Sequence, residues 1–422
     1  MNLNLEKASF KDFENMSGLD PFGWAAAFED YVANWDSRGH WNYRQESLSG
    51  CLPEVEMSLR GGASRSFVAL VFNDYLGFAQ HPEVKRAAID AIGKYGVGSA
   101  ASPAIGGHMS FHRLIEEKIA AFFRREAAIL FTTGYTANSA TMQALLKKED
   151  LAILDMGVHA SMYEGCLLTN TKTFPHNDME RLERVLRDTD GHYRTRMVIV
   201  DGVYSQPADI CRLDQVVRLA HAHGAYVAMD DAHGVGVIGE TGRGVIEWYD
   251  LFKEVDLITG TFSKTFGHLG GYVVADPKLV NFLKFQARQH IFSVTATPAS
   301  ACILKSIDLI DEEPFWKDRL WENIRYLKEG LLGMGFDLGN SASAIIPVMT
   351  GDPALNAEAC RLLLEAGVYA NQIGYPAVPR KNARIRMSVM ATHTREHMDR
   401  VLNAWEWVGN KLNINDREPI KT

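Results

Sequence analysis

From about Phe67 onward, short apolar runs alternate with stretches of helical periodicity. The runs Ala127–Phe131, Leu151–Asp155, 197–200, 226–229, Leu257–Thr261 and Gly271–Ala275 are apolar nearly throughout. That pattern predicts strands covered on both faces. Helical patterns lie between them, over 111–123, 136–147, 179–187 and 213–223. The alternation predicts an open, mostly parallel α/β sheet over residues 70 to 290. After Pro298 come long helical stretches, then strand texture at Ile345–Met349, a helix at Pro353–Glu365, a strand at 383–389 and a helix at 395–408. These predict a smaller α+β domain.

The expected organisation is therefore an N-terminal segment (1–66), a large domain (67–298), a small C-terminal domain (299–412) and a frayed tail (413–422). The first segment is aromatic-rich, with Phe22, Trp24, Phe28, Tyr31, Trp35 and Trp41, and reads as an amphipathic arm packing on another domain or subunit. The length of 422 residues fits two or three domains. Hydrophobic residues are 46% and charged residues 23%, which excludes global disorder. The net charge is 44 − 52 = −8, so no electrostatic feature points to nucleic acid. Cys51, Cys166, Cys211, Cys302 and Cys360 are scattered without a CxxC pair, which speaks for reduced thiols. No run reaches the 18 or so apolar residues of a membrane span, and the N-terminus lacks a secretory pattern. A cytoplasmic location is the expectation.

Candidate chemistry sits where the predicted strands end. In LITGTFSKTFG, a strand runs into a hydroxyl-rich turn with one lysine, Lys264. A lysine desolvated there can become a nucleophilic amine and form a Schiff base. Thr261, Ser263 and Thr265 could hold a phosphate beside it. By itself a lysine in such a polar turn reads more readily as a solvated surface residue. In YVAMDDAHGVGVIG, Asp230, Asp231 and His233 follow a strand. Carboxyl ends of parallel strands face the ligand crevice, so this segment reads as a helix-cap turn, a metal site or a clamp on a cofactor ring. LFTTGYTAN places a helix N-terminus at Gly134 and Tyr135, a ready anion site. His159, in DMGVHASMYEG, could stack on a flat ligand. Asn73 lies in FNDYLG. Arg384 and Arg386, two apart in ARIRMS, share one face of a strand, either as exposed edge residues or as a carboxylate clamp. An anion-binding turn, a stacking histidine, Asp–x–x–His and then a lysine form together a kit for pyridoxal 5′-phosphate.

Eight collinear motifs carry a resemblance: NDYLG (73–77), GVGSAASPAIGGH (96–108), TTGYTAN (132–138), HASMYEG (159–165), DGVYS (201–205), DDAHGVGVIGETGRG (230–244), GTFSKTFG (260–267) and RIRMSVMATHT (384–394). On these the sequence resembles the α-oxoamine synthases from about Phe72 to Thr394. The resemblance implies a fold-type I, aspartate aminotransferase-like α/β architecture, with a large mostly parallel α/β/α domain plus a smaller α+β domain. It implies Lys264 as the Schiff-base lysine and Asp230 at the ring nitrogen. His233 and Ser205 would reach the phenolic oxygen, and His159 would stack on the ring. Gly134, Tyr135 and Thr261 would bind the phosphate, joined by Thr295 from a neighbouring subunit, hence a homodimer with shared sites. Asn73 and Arg386 would hold the amino-acid carboxylate. No metal is implied.

The implied reaction condenses a small amino acid (alanine, serine or glycine) with an acyl thioester, on coenzyme A or a carrier protein. It loses CO₂ and releases an α-amino ketone. Two departures stand out. The family's MDGD-like stretch reads here Gln206-Pro207-Ala208-Asp209, and the segment holding Ser99, which the resemblance implies lies near the substrates, has there a small residue that would leave room for alanine or serine. The alternatives are another fold-type I enzyme, an aminotransferase or aldolase, and a silent subunit of a heterodimer. Retention of Lys264 argues against the last.

Overall fold

The computed structural model describes residues 3–59 and 62–415. The expected frayed tail lies, from 416 on, outside the described residues. The chain forms two compact units: 73–320, and 1–72 together with 321–422. Strands are numbered along the chain. In the second of these units lie β1 (Glu54–Met57) and β2 (Arg65–Ala69). The unit 73–320 holds β3 (Ala127–Phe131), β4 (Leu151–Asp155), β5 (Asn170–Phe174), β6 (Arg196–Asp201), β7 (Tyr226–Asp230), β8 (Leu257–Thr261) and β9 (Gly271–Ala275). The chain then returns with β10 (Ile345–Met349), β11 (Val368–Tyr369), β12 (Asn371–Ile373) and β13 (Arg384–Ser388).

The unit 73–320 is built on a seven-stranded sheet of order β3-β9-β8-β7-β6-β4-β5. All of its pairings are parallel except those of β9 with β3 and β8. β4, β6, β8 and β9 are buried along their whole length. This is why their sequences read as continuous apolar runs rather than alternating ones. All six expected strands of this sheet are present, and the α/β reading holds. β5 was not foreseen. Its sequence, NTKTF, is exposed except at Phe174 because it is the sheet's edge, and a polar edge strand carries no apolar run to read. The register sets β6 beside β7 with Asp201 opposite Asp230. β4 lies on the other side of β6 and ends in Asp155. Three aspartates therefore stand at the carboxyl ends of three neighbouring strands.

The helix Gly134–Leu145 begins two residues before the expected start, because Thr133 caps it by accepting from the Thr136 N–H at 3.0 Å. A backbone turn this close to β8 requires glycine. A Cβ on Gly134 would lie 2.7 Å from the Thr261 Cβ.

The other unit has two three-stranded sheets, β1-β2-β11 and β10-β13-β12. β13 is the middle strand of the second sheet, antiparallel to both neighbours. The N-terminal arm packs within this unit. Phe13, Tyr31 and Trp35 are buried together with Ala357. The Trp35 indole N–H donates to the Leu5 carbonyl at 3.1 Å, and His40 Nε2 is 3.0 Å from Glu358 Oε2. Helix Arg395–Leu412 buries Trp405 completely, with its ring 5.2 Å from Phe336 and its N–H donating to Met387 Sδ at 3.1 Å. Among the described residues no helix is long and apolar enough to cross a membrane.

Trp405→Ala should cost this unit about 3–5 kcal/mol, the usual price of a large cavity. Trp407→Ala, two residues on at a 39% exposed position, should stay within about 0.5 kcal/mol. A thermal scan of both variants reads the contrast as an early transition in the first and a wild-type trace in the second.

Candidate functional site

The site grows from the carboxyl ends of β3, β4, β6, β7 and β8. After β3, the Gly134 and Tyr135 amides head the helix Gly134–Leu145, where N–H groups have no partner within the helix. After β8, the buried Thr261 hydroxyl donates to the Gly270 carbonyl at 2.9 Å and lies 2.7 Å from the Ser263 hydroxyl. The Ser263 N–H points back to the Thr261 oxygen at 3.1 Å. The tight approach of Gly134 to Thr261 sets the helix amides and this hydroxyl pair side by side. That is an anion cradle made of dipoles rather than charges.

Asp230 ends β7 and is buried. Its Oδ2 accepts from Asn138 Nδ2 at 2.6 Å and its Oδ1 from the Ala232 N–H at 2.9 Å. Asn138 Nδ2 also donates to the Ser161 hydroxyl at 2.9 Å. Ser161 Oγ in turn lies 2.8 Å from His159 Nδ1. Because the Ser161 N–H also points at that nitrogen, at 3.3 Å, Nδ1 is the acceptor and the imidazole proton sits on Nε2. Desolvation lowers the His159 pKa, the charge of Asp230 opposes that, and Lys264 adds to it. His159 therefore stays neutral at pH 7. Its ring meets that of Tyr135 edge-on, with centroids 5.8 Å apart. The Tyr135 hydroxyl donates to Glu164, which lifts the phenol above its ordinary pKa.

Lys264 follows β8, and its charge acts on His159, Asp201 and Asp231 together. Burial pushes the Asp201 carboxyl well above the usual range, with the charge of Asp230 adding to the effect. The His159 N–H points to Asp201 Oδ1 at 3.4 Å. His233 is buried, with Nδ1 2.6 Å from the Tyr75 hydroxyl, and that hydroxyl donates to Asn73 Oδ1 at 3.3 Å. Ser205 lies in the turn that follows β6, the neighbour of β7.

Lys264, His159, Asp230, His233, Ser205, Gly134, Tyr135 and Thr261 are thus all placed by the strand ends of one unit or the segments following them, and Asn73, at the start of that unit, is tied to His233 through Tyr75. Thr295 is also in this unit, in the stretch after helix Arg288–Ile291, where its hydroxyl accepts from the Ala296 N–H at 2.5 Å. Asp231 faces elsewhere. Its carboxylate accepts from the Val245 N–H at 2.7 Å, and burial lifts it to about 7. It anchors the glycine loop 234–244, and the metal reading of Asp230, Asp231 and His233 loses that ligand. Arg386 and Arg384 belong to the other unit. The exposed edge-strand reading is overturned there: β13 is a central strand and both arginines are buried. Arg386 Nη1 donates to Ser388 Oγ at 3.1 Å.

Asn138, Ser161 and Tyr75 escaped the reading of the sequence. Each sits inside a motif, TTGYTAN, HASMYEG or NDYLG, but nothing announces that Asn138 meets a buried aspartate 92 residues away, that Ser161 meets Asn138 23 residues away, or that Tyr75 meets a histidine 158 residues away.

A family model of the class I and II aminotransferases matches residues 65–404. The 8-amino-7-oxononanoate synthase of Thermoanaerobacter pseudethanolicus is 42% identical over 353 residues, covering 83% of this chain and 89% of that protein. The synthase of the same name from Symbiobacterium thermophilum is 43% identical, covering 83% and 90%. A solved serine palmitoyltransferase from S. paucimobilis superposes with a TM-score of 0.89 at 31% identity, covering 94% of this chain and all of that one. The Sphingomonas wittichii serine palmitoyltransferase does so at 0.88 and 32%, over 94% and 100%. A matched family model over most of the chain, relatives above 40% identity and the strand-end site agree, and the chain belongs to the class I and II aminotransferase family and, within it, to the α-oxoamine synthases.

Proposed function

We propose that the strand-end site performs the α-oxoamine synthase reaction, a decarboxylating condensation of a small amino acid (alanine, serine or glycine) with an acyl thioester. The observation that carries this reading is Asp230, buried at the end of β7, held by Asn138 and the Ala232 N–H, and within electrostatic reach of His159 beside Lys264. The residues fit pyridoxal phosphate. The cradle is one that a side chain at Gly134 would fill, and the acid, the lysine and the ring-facing histidine are the donor set this cofactor needs. When bound, pyridoxal phosphate supplies an electron sink for negative charge developing at the amino-acid Cα.

The chain's own residues then divide the work. The Gly134 and Tyr135 amides and the Thr261 hydroxyl take the phosphate. Asp230 holds a proton at the ring nitrogen, and its hydrogen bonds from Asn138 and Ala232 keep the carboxylate aimed. His233 and Ser205 take the phenolic oxygen. His159, neutral and fixed through Ser161, offers an uncharged face for stacking and its Nε2–H to a substrate carbonyl or carboxylate. Lys264 would hold the cofactor through its amine, and its free amine would be the base for the Cα proton. The amino-acid carboxylate is assigned to Asn73 and Arg386 on their motifs.

We propose further that the chain works as a homodimer with shared sites, in the cytoplasm. Val97, Ile105, Leu167, Leu168, Phe285 and Phe292 are large apolar side chains left exposed on the unit 73–320, which supports association of two copies. Thr295 of one protomer would then reach the phosphate cradle of its partner. The sequence relatives are 8-amino-7-oxononanoate synthases and the structural neighbours serine palmitoyltransferases. One name specifies an oxononanoate product and the other a palmitoyl transfer to serine.

Titration with glycine, alanine and serine should shift the visible band of the bound cofactor for the preferred donor. An added acyl-CoA should then release free thiol and CO₂ in equal amounts. Conversion to the pyridoxamine form with release of a keto acid would mean transamination instead. Lys264→Ala should lose the Schiff-base absorbance and at least about 10²–10⁴-fold in turnover; normal turnover would sink the assignment. Thr295→Ala should weaken cofactor binding about tenfold, the worth of one hydrogen bond to a charged group. Mixing Thr295→Ala with Lys264→Ala protomers should restore tight, active sites, and a mixture no better than its components would refute shared sites.

A further inference from the structure

His176 stands two residues past β5, outside the set of groups assigned above, and yet both of its ring nitrogens face carboxylates. Nδ1 is 3.1 Å from Asp155 Oδ1, and Nε2 is 2.9 Å from Asp209 Oδ2 and 3.1 Å from Asp209 Oδ1. Two acceptors on opposite sides of one imidazole require two N–H donors, which is the imidazolium. Asn177 repeats the bridge beside it. Its backbone N–H donates to Asp155 Oδ2 at 2.8 Å, and its Nδ2 donates to Asp209 Oδ2 and the Ile210 carbonyl, each at 3.2 Å.

The two aspartates belong to the two segments that carry site residues. Asp155 ends β4, and its Oδ1 also accepts from the Gly157 N–H at 2.7 Å, two residues before His159. Gly157 is where the loop slips past the clamp: a Cβ there would lie 2.9 Å from His176 Nδ1 and 3.0 Å from the Tyr204 ring. Asp209 closes the turn that carries Ser205. Its carbonyl accepts from the Tyr204 N–H at 3.1 Å, and the Ala208 N–H donates to the Tyr204 carbonyl at 3.0 Å. The Tyr204 ring meets His176 edge-on at 4.3 Å. The altered stretch Gln206-Pro207-Ala208-Asp209 thus retains the aspartate the clamp needs. Ala208 is buried at a left-handed φ of 65°, a conformation that favours glycine.

We propose that His176 is a positioning residue for the reaction: by bridging Asp155 and Asp209 it locks the loop bearing His159 to the turn bearing Ser205, so that the ring-stacking and phenolic-oxygen contacts are set together before cofactor and substrate arrive. The inference rests on the roles proposed above for His159 and Ser205. The groups facing the imidazole are Asp155, Asp209 and the Tyr204 ring. Burial works against its charge, and the hydrogen bonds and charges of Asp155 and Asp209 outweigh burial, lifting it to about 10. A raised histidine stabilises fully below its ordinary value near 6.5 and loses that contribution as pH rises through about 10. The clamp is therefore closed throughout the neutral range.

The test compares wild-type holoenzyme with His176→Gln and Asp209→Asn at neutral pH. It reads the cofactor dissociation constant, kcat and KM, and hydrogen exchange of peptides spanning 156–165, 202–211, 226–230 and 257–261. Glutamine can donate to one carboxylate and carries no charge. His176→Gln should weaken cofactor binding and lower kcat about tenfold each, and should speed exchange in 156–165 and 202–211 only. Asp209→Asn, which keeps the size and polarity of the side chain, should move the same readouts in the same direction by less. If His176→Gln fails to fold, Asp209→Asn decides. Wild-type cofactor affinity, kcat and exchange in the two loops would overturn the inference, as would a uniform rise in exchange across all four peptides, which marks a merely structural role. Failure of the site reading itself is separate, since it shows as normal turnover in Lys264→Ala.

Discussion

The register of the parallel sheet places Asp155, Asp201 and Asp230 at the ends of three adjacent strands, and much of the site answers that crowding. A buried carboxylate costs several kcal/mol unless hydrogen bonds or opposite charge compensate it. The structure supplies both, differently for each acid. Asp155 takes N–H groups from Gly157 and Asn177 and the charge of His176. Asp230 takes Asn138 and the Ala232 N–H, with Lys264 nearby. Asp201, between them, takes a long contact from the His159 backbone N–H and the charge of Lys264, and burial still pushes its carboxyl well above the usual range. The row thus has the His176 imidazole beside one end member and its buried, raised carboxyl in the middle.

That distribution suits the proposed chemistry. The acid meant to hold a proton at the ring nitrogen is braced by Asn138, and Asn138 connects through Ser161 to the histidine meant to stack on the same ring. A displacement of any member shifts the others, so the ring's edge and face are positioned by one network. On the phosphate side no cationic side chain is among the assigned groups. Helix amides and hydroxyls would take the charge, and covalent work falls to the lysine in the turn.

The relatives by sequence are 8-amino-7-oxononanoate synthases, and serine palmitoyltransferases are among the relatives by structure. In the altered turn at 206–209, Asp209 holds the clamp and Ala208 adopts the backbone conformation a glycine would take more readily.

The amino-acid sequence by itself determined the sheet and the residues that end its strands. A strand buried on both faces has to be an apolar run, and a run that stops at Asp, Thr or Lys marks its carboxyl edge. The edge strand β5 was invisible because exposure removes that signature. What only the tertiary structure decided is which polar groups meet. Asn138 and Asp230, Tyr75 and His233, and His176 and Asp209 are dozens of residues or more apart, and their pairing follows from strand order and register, which composition does not encode. The same holds for Arg384 and Arg386: two arginines on one face of a strand read alike at an edge or in the middle of a sheet, and only the structure shows β13 between β10 and β12 with both arginines buried.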